Sequence, residues 1–171
     1  MSVEAAFKSL QRFPSQLAGI VNLLPDEVAD FVPDSGNWSI LQIVCHLADE
    51  DEFDFPVRIR LMLAGAERWP PIDPEGWAVE RDYASQSLGE QLQRFARLRS
   101  SALDDFASMQ IPNSDWNKQY EHEELGTFRA GDILHSWASH DILHLRQISK
   151  RIYEFNQQQA DDFSTRYAGD W

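Results

Sequence analysis

The spacing of apolar residues along this chain is helical almost throughout. In the first segment, apolar side chains recur every three or four positions from Val3 to Leu24, which is typical of an amphipathic helix. Pro14 interrupts this segment, so we predict a helix that either kinks at Pro14 or begins near Ser15. Two prolines and a glycine in residues 25–38 then indicate a connection.

A second helix is predicted from Ser39 to Gly65. Ser39 and Gln42 fit a capping box, in which each side chain bonds the backbone N–H of the other residue. Trp38 and Ile43 have the spacing of a hydrophobic staple. Gly65 is the predicted C-terminal stop of this helix.

Prolines punctuate the middle of the chain. Pro56 is expected to kink the second helix. Residues 67–86 contain three prolines together with Trp69 and Trp77, and tryptophans are rare in flexible linkers. We therefore predict a long ordered loop over this range.

Two further helices complete the predicted fold. Ser87 and Glu90 form a second capping box that opens the third helix, and Thr127 is the expected N-cap of the fourth. A polar tail follows after about residue 157. No segment demands a strand, although short strand pairing in the loops stays open. The pattern predicts an all-α fold, a four-helix bundle formed by residues 1–171 as a single domain.

The composition narrows the classes of partner. The chain has 15 Lys and Arg residues against 28 Asp and Glu residues, a net charge of −13. Such a surface repels phosphate backbones and anionic lipids, so we expect a small-molecule substrate, no nucleic acid and no membrane. The N-terminus lacks a signal-peptide pattern, which predicts a soluble cytoplasmic protein. The single cysteine, Cys45, excludes an intramolecular disulfide and is expected to be a small buried thiol.

Two histidines of the fourth helix share one face. His140 and His144 are separated by one helical turn, and this face also carries Trp137 and Ile148, so both rings are predicted to point into the bundle. His135 lies nearly opposite, on the side expected to be exposed. The pair is either half of a metal site or a hydrogen-bonded pair of core histidines.

A metal would need a third ligand from another helix. His46, midway along the second helix, is the other histidine in a helical and partly apolar context. Three nitrogens from two helices leave positions for water or substrate, which is typical of catalytic or substrate-binding metals. A ferritin-like di-iron site fits less well, because it requires Glu-x-x-His from two helices and here Asp-x-x-His occurs twice on one helix.

Charged neighbours of these histidines are candidates for supporting roles. Glu50, one turn from His46, is a candidate fourth ligand, hydrogen-bond partner or general base; alternatively it belongs to a solvated acidic run over residues 49–52. Asp141 either orients an imidazole or is exposed. A basic cluster on the third helix either forms a solvated face or holds an anionic substrate: Arg94, Arg97 and Arg99.

Two segments resemble one known family. WSILQIVCHLADEDEF, followed by Arg58 and Arg60, and HEELGTFRAGDILHSWASHDILHLRQI resemble two core helices of the DinB/YfiT-like superfamily, and the likeness extends over about residues 15–155. The resemblance implies an up-down-down-up four-helix bundle, often a homodimer. It also implies a divalent metal held by three histidines, which correspond here to His46, His140 and His144. Nickel and zinc are typical in that family, and iron is a further candidate.

The resemblance also suggests activities. The superfamily includes transferases and isomerases that use low-molecular-weight thiols such as bacillithiol or mycothiol. We therefore expect a metal-dependent enzyme in which a bound thiol drives transfer or isomerisation, or bound water drives hydrolysis. The competing hypothesis is a non-catalytic metal-binding or stress-response interaction protein. A deep apolar pocket over an open metal position would favour the enzyme, and a fourth protein ligand would favour the structural role.

Overall fold

The structure, a computed structural model, describes residues 2–169 and residue 171. Four long helical segments are joined by shorter elements. In chain order, the helices and strands are α1 (Val3–Val21), α2 (Asp26–Ala29), α3 (Ile40–Phe53), α4 (Phe55–Ala64), α5 (Pro74–Glu80), α6 (Leu88–Ser108), β1 (Gln119–His122), β2 (Gly126–Arg129) and α7 (Ala130–Gln159). No helix among the described residues is long and apolar enough to cross a membrane.

The core shows the direction of each long helix. One half of it joins the start of α1, near Leu10, to the ends of α4 and α6 and to the start of α7, near Trp137. The other half joins the end of α1, near Leu17, to the starts of α3 and α6 and to Ile148, further along α7. The α3–α4 segment and α6 therefore run parallel to each other and antiparallel to α1 and α7. This is the predicted up-down-down-up four-helix bundle.

The parallel direction of α3–α4 and α6 requires a long return connection. The chain must travel back along the bundle between Ala64 and Leu88, and α5 forms on the way. Trp69 anchors the first part of this connection by stacking on Tyr120 of β1, with ring centroids 3.9 Å apart. The predicted ordered loop is therefore confirmed, and it contains a short helix that the sequence did not indicate.

The signals at the ends of α3–α4 are confirmed. Ser39 accepts a hydrogen bond from the backbone N–H of Gln42 at 3.2 Å, and the Gln42 side chain accepts from Ser39 N–H at 2.9 Å. The kink expected at Pro56 is a full break: Asp54 has φ −118° and ψ −93°, and Pro56 lies in the first turn of α4. Gly65 ends α4 with a φ of +75°, a conformation that favours glycine.

Two predicted helix starts need correction. Thr127 does not cap the fourth helix, because residues 126–129 form β2, paired antiparallel with β1, and α7 begins only at Ala130. Ser87 caps α6 by accepting from Glu90 N–H at 3.5 Å, but the Glu90 side chain forms no reciprocal bond among the described residues. Thr127 lies in a strand because pairing with β1 provides hydrogen-bond partners for the backbone N–H and C=O groups of residues 126–129.

Pro14 lies inside an unbroken α1. Proline has no N–H group, so the carbonyl of Leu10, four residues earlier, loses its helical partner. That carbonyl accepts a hydrogen bond from Nη1 of Arg99 on α6 at 3.2 Å. The proline therefore provides an acceptor for a buried cation instead of starting or ending the helix.

Arg99 joins all four long helical segments. It is 1% exposed, and its guanidinium donates to both oxygens of Asp51 on α3 and of Asp141 on α7, at 2.7–3.0 Å. With the bond to the Leu10 carbonyl, all five of its N–H groups are satisfied. The pKa of Asp51 is raised to about 6 because burial outweighs the opposing charge and hydrogen bonds of Arg99.

The acidic run over residues 49–52 is mostly buried, contrary to the solvated alternative. Asp49 is 0% exposed and is paired with Arg81 and Arg94, each at 2.6 Å. Glu50 and Asp51 are also buried, whereas Glu52 is exposed. The basic cluster is correspondingly divided, because Arg94 and Arg99 neutralise buried carboxylates and only Arg97 is exposed. Asp141 is buried as well and pairs with Arg99 instead of orienting a histidine.

Removing the Arg99 charge should strongly destabilise the protein. Arg99→Met keeps much of the side-chain volume but leaves the carboxylates of Asp51 and Asp141 buried without a counter-charge. We expect the free energy of unfolding, measured by urea denaturation, to fall by about 3–5 kcal/mol. The matched control is Arg97→Met on the same helix, which should change it by less than about 0.5 kcal/mol. Equal effects of the two substitutions would contradict the role of Arg99.

Candidate metal centre

The three predicted histidines meet at the contact between α3 and α7. His46 on α3 and His140 and His144 on α7 each offer one ring nitrogen, and these three atoms all lie within 4.8 Å of one another. His140 Nε2 is 2.9 Å from His144 Nε2 and 3.4 Å from His46 Nε2. The one-turn spacing on α7 places two rings side by side, and helix packing brings the third.

Hydrogen bonding indicates which ring nitrogens carry protons. Nδ1 of His144 lies 2.7 Å from Oε1 of Gln147. Because an amide oxygen only accepts, Nδ1 of His144 donates in this arrangement, and its Nε2 lone pair faces His140. Nδ1 of His46 and of His140 are buried and have no hydrogen-bond partner among the described residues.

The three imidazoles are neutral at physiological pH. Burial, together with the neighbouring histidines, lowers the pKa of His46 to about 3 and that of His140 to about 2. Burial also lowers the pKa of His144, while its bond to Gln147 opposes the shift. Neutral imidazole is the form that binds metal ions.

The separations of the nitrogens fit a single ion. Two nitrogens bound to one zinc-sized ion at about 2.1 Å, with angles of about 90–109°, lie about 3.0–3.4 Å apart. The two Nε2–Nε2 distances of 2.9 and 3.4 Å are close to this range. Within the described part of the chain, no cysteine, aspartate or glutamate joins the three histidines as a further ligand atom. The cluster therefore has the composition of an open three-nitrogen site.

Glu50 lies behind His46. Its Oε1 is 3.8 Å from Nδ1 of His46, on the side of the ring away from the cluster, and is buried without a hydrogen-bond partner among the described residues. Burial raises the pKa of Glu50 to about 7, and the positive charge of Arg58 opposes that rise. Glu50 is not one of the clustered ligand residues, and at 3.8 Å its carboxylate makes no hydrogen bond to His46.

Aromatic side chains and a cavity surround the cluster. Trp38 lies against His46, with ring centroids 5.1 Å apart, and Phe55 lies against His140 at 5.0 Å. A cavity of about 580 Å³ lies behind two neighbours of the cluster, Trp38 and Gln147, which form part of its wall; none of the three histidines lines it. Small-molecule sites commonly have this size.

The remaining sequence candidates lie outside the cluster. His135 is half-buried on another face of α7, and Nδ1 of His122 accepts two backbone N–H bonds in the hairpin turn. Cys45 is the predicted buried thiol; burial raises its pKa to about 12, so it is not a thiolate nucleophile. Sequence reasoning missed Gln147 and Phe55. The three-residue spacing from His144 could have indicated Gln147, but no local pattern indicates Phe55.

The chain is similar to named proteins of two bacteria. The chain is 29% identical over 153 residues to a protein of Oceanobacillus iheyensis named "Putative metal-dependent hydrolase OB0782", which covers 83% of each chain. It is 26% identical over 152 residues to "Putative metal-dependent hydrolase YfiT" of Bacillus subtilis, which covers 84% of this chain and 82% of YfiT.

The fold and the family are both established by similarity. The solved structure of Bacillus subtilis YfiT, described as having an unusual four-helix bundle topology, superimposes with a TM-score of 0.72 at 20% identity and covers 89% of this chain and 90% of that chain. The sequence profile of the DinB superfamily matches residues 9–148, which is most of the chain. This chain therefore belongs to the DinB superfamily.

Proposed function

We propose that this protein is a metal-dependent hydrolase whose divalent metal is held by His46, His140 and His144. The observation that carries the proposal is the convergence of three neutral imidazoles, two buried and that of His140 half-buried, in which Nε2 of His140 lies 2.9 and 3.4 Å from Nε2 of His144 and of His46. The names of the relatives in Oceanobacillus iheyensis and Bacillus subtilis, which describe metal-dependent hydrolases, support it.

The donor set suggests the metal and its chemistry. Imidazole nitrogen suits zinc, nickel and iron, and we propose zinc or nickel with iron as a further candidate. A divalent metal with three histidine ligands retains open positions, polarises a carbonyl or phosphoryl oxygen and lowers the pKa of bound water to about 7. The absence of a fourth ligand side chain from this cluster, within the described residues, favours a catalytic over a purely structural role.

The surrounding residues prepare the histidines for this role. Gln147 accepts from Nδ1 of His144, which directs the Nε2 lone pair of that ring toward the centre of the cluster. Oε1 of Glu50 lies 3.8 Å from Nδ1 of His46, beyond hydrogen-bonding distance. Trp38 and Phe55 limit the access of water to two of the rings.

Metal content tests the site directly. Untagged protein incubated with Zn²⁺ or Ni²⁺ should retain about one ion per chain by elemental analysis. His46→Ala, His140→Ala and His144→Ala should each weaken binding at least about 100-fold in competition with a chromophoric chelator, because each removes one of three ligands. His135→Ala on α7 is the matched control and should bind as wild type does. Wild-type protein that retains none of Zn²⁺, Ni²⁺ or Fe²⁺ would refute the site.

Activity assays test the reaction class. Metal-loaded protein should hydrolyse 4-nitrophenyl acetate, an activated ester used here as a probe, above the rate given by the same concentration of free metal. His140→Ala should lose this activity, and His135→Ala should keep it. A parallel assay supplies L-cysteine and monochlorobimane, which form a fluorescent thioether. Metal-dependent catalysis of that reaction without ester hydrolysis would replace the hydrolase by the thiol transferase that the family resemblance suggests.

The pH dependence of stability tests the histidine environment. His140 has a pKa of about 2 when folded and about 6.5 when unfolded, so between these values only the unfolded chain binds the proton. The contribution of His140 to the free energy of unfolding of metal-free protein should therefore fall as the pH falls below about 6.5. The lowered pKa values of His46 and His144 act in the same direction, whereas the raised pKa values of Glu50, Asp51 and Asp141 act in the opposite direction.

One substitution isolates this contribution. His140→Leu removes the imidazole that binds a proton in the unfolded chain. The slope of the free energy of unfolding against pH should therefore decrease by about 1 kcal/mol per pH unit between pH 6 and 5, measured by urea denaturation in the presence of EDTA. His135→Leu should retain the wild-type slope. An unchanged slope in His140→Leu would show that the folded protein protonates His140 as readily as the unfolded chain does.

A further inference from the structure

The cavity beside the histidine cluster contains an arginine with an unused edge. Its volume is about 580 Å³, and its polar and aromatic wall includes Asn37, Trp38, Gln42, Glu75, Gln147 and Arg151. Arg151 on α7 is only 4% exposed. A buried guanidinium normally has all of its N–H groups hydrogen-bonded. Any N–H group of Arg151 that has no acceptor in the protein therefore indicates what kind of group the cavity could bind.

Arg151 uses only one side of its guanidinium. Its Nη1 donates to Glu154, one turn further along α7. Its Nε is buried without a hydrogen-bond partner among the described residues. Nη2, which lies on the same edge as Nε, makes no hydrogen bond in the described part of the chain either. One complete edge, Nε with Nη2, is therefore without an acceptor.

This edge is the one that binds carboxylates side-on. Arg99 of the same protein shows the geometry, because its Nε and Nη2 donate to the two oxygens of Asp51 at 2.8 and 3.0 Å. Arginine forms such paired bonds with carboxylate and phosphate groups. Arg151 differs from Arg99 in that no protein carboxylate meets its Nε–Nη2 edge among the described residues, and its side chain lines a cavity.

The position of the cavity also favours an anion. It lies at the N-terminal end of α3, beside Trp38 and Gln42, where the helix dipole is positive. The carboxylates nearby do not occupy the free edge of Arg151: Glu154 holds Nη1, and Glu75 on α5 is exposed to solvent. The chain has a net charge of −13, so most of its surface repels anions. Anion binding would therefore be confined to a local site of this kind.

We propose that the Nε–Nη2 edge of Arg151 binds a carboxylate or phosphate group of a small molecule in this cavity. Arg151 follows His144 by seven residues on α7, about 10 Å along the helix, and Gln147 lies between them in the cavity wall. If the histidine cluster has the proposed function, its substrate carries an anionic group about two helical turns from the bond that reacts. Arg151 fixes that end of the molecule.

The first experiment observes Arg151 in metal-free protein by NMR. The Nε–Hε resonance of Arg151 is identified by its absence in Arg151→Lys, which retains the positive charge. Propionate and methyl phosphate are the probes, with sodium chloride at matched ionic strength as the reference. We expect either or both probes to shift the Arg151 resonance to saturation, and their comparison distinguishes a carboxylate from a phosphate ligand. Exposed Arg146 on the same helix is the internal control. A shift at Arg151 no larger than that at Arg146 would overturn the proposal.

The second experiment tests the link to the histidine cluster. Suberic acid monohydroxamate carries a metal-binding group at one end and a carboxylate at the other, whereas octanohydroxamic acid lacks the carboxylate. Zn²⁺-loaded protein should bind the first at least tenfold more tightly by calorimetry. Arg151→Gln should abolish the difference, and Arg146→Gln should preserve it. Equal affinities in wild type would overturn the assignment of an anionic substrate.

The two experiments separate failure of this inference from failure of the proposed function. A chain that takes up no zinc refutes the metal site, yet the resonance of Arg151 in metal-free protein still decides whether the edge binds an anion. Melting temperatures of Arg151→Gln and Arg151→Lys identify loss of folding. If both variants unfold, the Nε–Hε resonance of Arg151 is assigned in wild-type protein by triple-resonance connection to its backbone, and the wild-type titration with Arg146 as its internal reference gives the result.

Discussion

The buried guanidinium of Arg99 is the interaction on which the arrangement of the bundle depends. It is the one group that contacts the Leu10 carbonyl of α1, Asp51 of α3 and Asp141 of α7 while belonging to α6. Trp137 adds a further bond, its Nε1 donating to Asp51 at 2.8 Å. Since a buried carboxylate without a counter-charge is strongly unfavourable, these helices must pack in the register that brings both aspartates to Arg99.

The same register places the histidines. Asp141 directly follows His140, and Asp51 lies five residues after His46 on the same helix. Because Arg99 forms ion pairs with Asp51 on α3 and Asp141 on α7, it also fixes the position of α3 relative to α7 along the bundle axis. The three Nε2 atoms then meet, and the site is held by helices instead of loops.

Polar burial is distributed unevenly along α3. Its consecutive acidic residues point to different partners: Asp49 pairs with Arg81 and Arg94, Asp51 with Arg99, and Glu50 lies beside His46. Only Glu50 lacks a cationic partner within hydrogen-bonding distance, and its pKa is raised to about 7. The two charge networks stabilise the helix, whereas Glu50 remains available to the histidines.

The sequence by itself determined the four-helix bundle, the capping box at Ser39, the end of α4 at Gly65 and the inward face of His140 and His144. These features depend on periodicity and on interactions between residues fewer than five positions apart, which a linear pattern records. Only the tertiary structure decided that the acidic run is buried, that Pro14 frees a carbonyl for Arg99, and that β2 replaces a helical cap at Thr127. Each depends on a partner far away in the chain. Burying a charge or a backbone polar group is unfavourable unless such a partner pairs with it, and the local sequence does not show where that partner is.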